Sequence, residues 1–200
     1  MSDPHDNPFV GRGGLKLRHA LDEFAIDVTG LRCADFGSSI GGFTDCLIRA
    51  GAAHVFSVDT SYGELAWTLR QHERVTPMER TNALHVELPE KVDLIVIDLG
   101  WTRQKHAVPA ALKWLAPDGR VITLIKAHYE LDPHEKELMI DGVLPDGEAE
   151  RVVERVCDAM PEFGARLLGS TRSPILGGAH GKKQKGKGNA EWLALLEPGG

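Results

Sequence analysis

Short runs of β-branched and aliphatic residues alternate along the chain with segments whose apolar positions recur at helical spacing. Residues 31–36, 54–59, 75–80, 92–98 and 120–126 read as strands. The run 92–98, Val-Asp-Leu-Ile-Val-Ile-Asp, is the clearest, a near-continuous apolar segment of the kind buried on both faces of a parallel sheet. Residues 15–24, 43–50, 64–72 and 106–115 predict helices between them, the first with Leu17, Ala20, Leu21 and Phe24 on one side. Alternation of this kind implies right-handed crossovers and a parallel sheet, with ligands at the carboxyl ends of the strands. Pro77 confines strand 75–80 to an edge. Residues 148–160 predict a further helix with Val152, Val153, Val156 and Met160 inward. Residues 165–175 and 191–196 then read as two strands joined by a glycine- and lysine-rich loop without a helix, and so as an antiparallel pair. The fold expected is α/β and Rossmann-like, a mostly parallel seven-stranded sheet with an antiparallel C-terminal strand. Residues 131–146 read as a loop with one helical turn, and the polar residues 1–8, with two prolines, as a disordered lead-in to a domain spanning 9–200.

The strand at 31–36 runs directly into Gly37-Ser38-Ser39-Ile40-Gly41-Gly42-Phe43, a turn in which a ligand can lie against bare backbone. Strand 54–59 finishes in Asp59, the position from which a carboxylate holds ribose hydroxyls at a parallel sheet's edge. The glycines at 37, 41 and 42 depart from the G-x-G-x-x-G spacing of dinucleotide folds, which favours S-adenosylmethionine over NAD. Asp35, Asp59, Asp98 and Lys126 all fall at or near strand ends. Lys16 opens a helix, where a cation is slightly unfavourable for the dipole.

Composition narrows the picture modestly. A 200-residue chain with 42% hydrophobic and 26% charged residues suits one domain with a sizeable core. The formal charge of −6 argues against a uniformly basic nucleic-acid binder, though a local basic patch still docks phosphates. Three widely spaced cysteines form neither a disulfide framework nor a metal motif, and no stretch suggests a signal peptide or membrane span. A cytoplasmic protein with no metal and no membrane association is expected.

Phe9-Val10-Gly11-Arg12-Gly13-Gly14-Leu15-Lys16-Leu17, residues 35–44, Val58-Asp59, Glu79-Arg80-Thr81-Asn82-Ala83, Ile97-Asp98, Leu124-Ile125-Lys126 and Gly188-Asn189-Ala190-Glu191 together resemble, in order, the motifs of the hemolysin/TlyA-like branch of the FtsJ-like ribosomal RNA methyltransferases. The resemblance is close from Phe9 to about residue 130, returns at 188–196 and is weak between. It implies a class I methyltransferase fold, S-adenosylmethionine as cofactor and a Lys-Asp-Lys-Glu tetrad for methylating a ribose 2′-hydroxyl, at Lys16, Asp98, Lys126 and Glu191. In that setting Lys126 is expected as base, with Asp98 and Glu191 orienting it and Lys16 steadying the ribose or an adjacent phosphate. A second ammonium lowers a lysine's pKa while two carboxylates raise it, so residue types alone leave the base open. Asp35 and Gly37 are expected at the methionine end of the cofactor, Asp59 on its ribose hydroxyls and Asn82 near adenine, with Ser38, Gly41, Gly42, Phe43 and Asp98 as further cofactor contacts.

Four departures from the family stand out. Its relatives mostly begin with an S4-type RNA-binding domain, and only a few residues precede the first motif here, so a protein partner supplying RNA docking is one expectation. Gly100-Trp101-Thr102 stands in place of a Ser-Phe-like stretch, Ala127-His128-Tyr129 in place of Pro-Gln-Phe, and Ile40 in place of a small polar residue. Ribosomal or other structured RNA is the expected partner, met by Arg12 and by Lys182, Lys183, Lys185 and Lys187. The alternatives are a same-fold methyltransferase acting on a small molecule or protein, and a non-catalytic module that binds S-adenosylmethionine.

Overall fold

The computed structural model describes residues 7–178 and 188–200. Its strands are β1 (Arg32–Phe36), β2 (His54–Val58), β3 (Val75–Met78), β4 (Val92–Ile97), β5 (Leu115–Ile125), β6 (Ala165–Arg172) and β7 (Trp192–Pro198). They form one seven-stranded sheet in the order β3-β2-β1-β4-β5-β7-β6. The pairs from β3 through β5 are parallel, while β7 runs antiparallel to both β5 and β6. The sheet reverses its winding at β1, between β2 and β4, which opens a crevice above the carboxyl ends of those strands. Register keeps the ends level: Phe36 lies opposite Val58 on one side and Ile97 on the other. Gly37, Asp59 and Asp98 therefore emerge side by side.

Strand alternation divides the core into two layers. Along β4, Leu94 and Val96 join Leu17, Leu47, Ile122 and Leu193 on one face, while Ile95 and Ile97 join Phe36, Val152 and Met160 on the other. Both sets are nearly inaccessible, and each such aliphatic side chain stabilises the fold by roughly 1.5–3 kcal/mol.

Helix α1 (Gly13–Glu23) packs on α2 (Gly42–Arg49) at backbone distance. A Cβ at Gly42 would stand 3.0 Å from Gly14 N and 3.1 Å from Gly11 O, so glycines on both segments permit the approach. The Val10 N–H donates to Asp45 Oδ2 at 2.9 Å and pins the incoming chain. Helices α4 (Gln104–Leu112) and α5 (Asp146–Asp158) cover the other face.

Two segments differ from the sequence expectation. The helix expected at 64–72 is only α3 (Trp67–Arg70), because side chains hold the preceding loop: Ser61 N donates to Asp59 Oδ1 and Gly63 N to Glu79 Oε1. Strand β5 starts at Leu115, with Pro117-Asp118-Gly119 in a register shift against β4. Residues 131–146 form a loop with one helical turn as expected, a 3₁₀ turn at Pro133–Leu138 closed by reciprocal capping between Asp132 and Glu135. The antiparallel closing pair forms as expected. Lys182, Lys183, Lys185 and Lys187 lie outside the described residues.

Candidate active site

Two cavities open at the carboxyl ends of β1, β2 and β4, and Gly37, Ser39 and Asp98 border both. The smaller, about 140 Å³, is enclosed by Gly11-Arg12-Gly13 on one side and by residues of the glycine turn, with Ser38, Gly42 and Phe43, on the other. The larger, about 360 Å³, runs from Asp59 and Thr60 past Thr81 and Asn82 to Trp101. A third cavity, about 380 Å³, lies near Ala25, Asp93 and Pro117, beyond the opposite strand ends, and holds none of the motif residues.

The glycine turn is shaped for close approach. Gly37 has φ +93°, and a Cβ there would sit 2.5 Å from the Asp98 carbonyl oxygen. Gly41 has φ +101° and backs onto the Leu65 and Leu69 side chains. Asp59 Oδ2 accepts the Ser39 N–H at 2.8 Å and Oδ1 accepts the Ser61 N–H at 2.8 Å. Each carboxylate oxygen keeps lone-pair capacity toward the larger cavity, the geometry that suits a vicinal diol. Asn82 lines the same cavity with its Oδ1 accepting the Leu84 N–H. These residues fit a nucleoside with an amino-acid tail in the smaller cavity.

Asp35 stands apart from the other expected cofactor contacts. It is fully buried and lines neither cavity, because its side chain points beneath the turn to Thr44 of α2, whose Oγ1 donates to Asp35 Oδ2 at 2.7 Å. Oδ1 has no hydrogen-bond partner. Burial pushes this carboxyl up to about 7, with the neighbouring Asp98 and Asp59 charges adding to the rise against the Thr44 hydrogen bond.

The four tetrad positions come together as two ion pairs. Lys16 Nζ donates to Glu191 Oε2 at 2.5 Å with both side chains under a tenth exposed, so the lysine at the start of α1 is directed inward. Lys126 Nζ lies 2.5 Å from Asp98 Oδ1, beside Leu99 O at 3.4 Å. Burial draws the Lys126 ammonium's pKa down, but the Asp98 charge and hydrogen bond and the Glu191 charge more than offset it, so the pKa lies above the usual lysine value. Lys126 is therefore protonated at neutral pH, and the two carboxylates outweigh burial in the balance that residue types left open.

One residue here was not legible in advance. Gln104 is buried; its side chain donates to Leu124 O at 3.1 Å and accepts from Thr123 Oγ1 at 2.7 Å. Its N–H donates to Glu130 Oε1 at 2.8 Å. This ties the loop after Asp98 to the strand end carrying Lys126. Trp101, with φ +60° and 81% exposed, stacks on Tyr129 with ring centroids 4.8 Å apart, and the Tyr129 ring lies 6.0 Å from Lys126 Nζ. Arg12 is exposed at the rim of the smaller cavity.

The strand order is that of the class I methyltransferase fold. The model of the FtsJ-like methyltransferases matches residues 9–160, and the chain belongs to that family. It is 38% identical to the Mycobacterium tuberculosis 16S/23S rRNA (cytidine-2′-O)-methyltransferase TlyA, over 96% of this chain and 69% of that one. It is 32% identical to hemolysin A of Brachyspira hyodysenteriae, over 93% and 75% respectively. Among solved structures, a candidate hemolysin from Streptococcus thermophilus superposes with a TM-score of 0.87 at 33% identity, covering 98% of this chain and 70% of that one. Among the described residues, no helix is long and apolar enough to cross a membrane, and no group of three or more His, Cys, Asp or Glu side chains is arranged to hold a metal ion.

Proposed function

We propose that the chain transfers a methyl group from S-adenosylmethionine to a ribose 2′-hydroxyl of ribosomal RNA. The observation that carries this reading is the Lys126–Asp98 pair standing at the border shared by the two cavities, with the Lys16–Glu191 pair behind it. When bound, the cofactor supplies an electrophilic sulfonium methyl group. Asp59 accepts hydrogen bonds from the cofactor ribose, and Gly37, Ser38, Gly42 and Phe43 enclose its methionine end. Asn82 borders the base.

Lys126 and Asp98 orient the acceptor hydroxyl for in-line attack, and positioning of this kind accounts for a large share of such a rate. In the transfer, the oxygen–methyl bond forms as the sulfur–methyl bond breaks, and the hydroxyl proton leaves. Lys126 accepts that proton only after losing its own. The tetrad's two ammonium and two carboxylate charges cancel, so a sulfonium held in the pocket that Asp98 borders would add positive charge and favour loss of the Lys126 proton to solvent. Lys16 holds Glu191 in place through their ion pair and steadies the acceptor's ribose or an adjacent phosphate. Trp101 and Tyr129 form an aromatic wall on which the acceptor base stacks. The substrate reading draws its support from the names of relatives such as the M. tuberculosis enzyme.

The test is incubation of the purified chain with methyl-labelled S-adenosylmethionine and ribosomal subunits, alongside Asp98→Ala and Lys126→Ala, followed by nuclease digestion. Label in 2′-O-methylnucleosides that vanishes in both variants is the expected result. Cofactor binding without any labelled RNA would overturn the substrate assignment.

A further inference from the structure

The motif Glu79-Arg80-Thr81-Asn82-Ala83 contributes Thr81, Asn82 and Ala83 to the larger cavity but leaves Arg80 outside it. Arg80 is exposed and has φ +53°, a left-handed conformation that is costly for a side chain with a Cβ. Its N–H donates to Ser61 O at 3.1 Å, and the Thr81 N–H donates to Asp59 O at 2.9 Å, so this turn is hydrogen-bonded to the loop that begins at Asp59. The Arg80 guanidinium lies over the Tyr62 ring, 4.4 Å from its centroid, and Tyr62 is itself 65% exposed.

The charges around Arg80 are sorted unusually. Glu79, its chain neighbour, is engaged by Arg70 and by the Gly63 N–H. Arg80 has no carboxylate partner among the described residues. A guanidinium lying on an aromatic ring keeps its in-plane N–H donors free, and the ring limits the rotamer freedom that would be lost on binding. Such a group suits a phosphate, which its fork meets with two hydrogen bonds. On a chain of net charge −6, a polyanion must be received by local cations, and this one adjoins Thr81, which lines the larger cavity.

We propose that Arg80, steadied by Tyr62, is a phosphate contact for the acceptor RNA on the cofactor-pocket side of the active site. The inference rests on RNA being the substrate. An RNA strand crossing the cavity mouth then meets both Arg80 and the Trp101–Tyr129 wall, and Tyr62 acts as a positioning residue.

The test measures binding of an unmodified in-vitro transcript of ribosomal RNA across a series of salt concentrations, for the full chain and for Arg80→Ala, Arg80→Lys, Tyr62→Ala and Tyr62→Phe. Binding of S-adenosylhomocysteine by calorimetry and thermal unfolding run in parallel. Arg80→Ala should weaken RNA binding about tenfold and reduce the salt slope by about one, with S-adenosylhomocysteine affinity and melting temperature unchanged. Arg80→Lys should keep the slope but lose part of the affinity. Tyr62→Phe should match the parent, and Tyr62→Ala should weaken RNA binding without changing the slope. Parent-like RNA affinity and slope in Arg80→Ala would overturn the inference alone, as would an equal loss of S-adenosylhomocysteine affinity, which would assign Arg80 to the cofactor loop. Absence of salt-dependent RNA binding by the parent chain would overturn the substrate reading and this inference with it.

Discussion

Replacing Asp35 by Asn tests whether the glycine turn rests on a carboxyl that resists ionisation. The side chain is fully buried, with one oxygen hydrogen-bonded to Thr44 and the other without a partner. Its pKa rises from 3.8 to about 7, chiefly through burial. A group whose pKa is higher in the folded than in the unfolded state binds more protons when folded between those two values, so stability falls as pH rises through that window. Over about three pKa units the loss amounts to ~4 kcal/mol, an upper figure because relaxation and water entry soften the penalty. Asn preserves shape and still accepts the Thr44 hydroxyl, but it cannot ionise. Urea unfolding of the ligand-free parent and Asp35→Asn, run at several pH values from about 4 to about 8, isolates this group because other titrations cancel in the difference. The variant should gain on the parent steadily with pH and lead it by ~2–4 kcal/mol at the alkaline end. Parallel curves for the two proteins, or a variant that loses ground as pH rises, would refute the reasoning.

Three further outcomes follow from the site. Asp59→Ala should lower S-adenosylhomocysteine affinity at least about tenfold, the worth of a charge-assisted hydrogen bond, as read by calorimetry; unchanged affinity would remove Asp59 from the cofactor site. Trp101→Ala should raise KM for RNA severalfold while leaving S-adenosylhomocysteine binding intact, and Trp101→Phe should restore most of the loss, since about 1–3 kcal/mol attends a base–aromatic stack. Because the carboxylates hold the Lys126 pKa above the ordinary lysine value, the single-turnover rate should climb about tenfold per pH unit across the neutral range, as the amine fraction grows. A rate independent of pH there would exclude Lys126 as the proton acceptor.

The parallel half of the sheet was legible because its strands are short apolar runs, each ending in a glycine or a charged residue. The antiparallel closure followed from two apolar runs with no helix between them. What escaped the sequence is contact across distance. Every residue of β1 after Arg32 is buried, so alternation gives no sign that Asp35 turns to Thr44 rather than to a ligand. Gln104 sits at a helix start and reads as a solvated residue, yet it bonds Thr123 and Leu124. Trp101 and Tyr129 become partners only because β4 and β5 are adjacent and end together. The short α3 is likewise a consequence of Glu79 reaching back to Gly63 and of Asp59 capping Ser61.

The same geometry bears on how an acidic chain handles a polyanion. Arg32, Arg49, Arg70, Arg103, Arg151, Arg155, Arg166 and Arg172 are each matched to a carboxylate, so their charge is largely spent within the fold. Arg12 and Arg80 have no such match among the described residues, and each stands beside one of the two cavities. On the RNA reading, these two arginines at the rim of the crevice would steer a phosphate backbone toward Asp98 and Lys126. The consequence is a shallow salt dependence: each phosphate neutralised adds about 0.9 to the slope on duplex and about 0.7 on single strands, so a slope of a few units would match a handful of rim cations. A much steeper slope would require phosphate contacts beyond these two rim arginines.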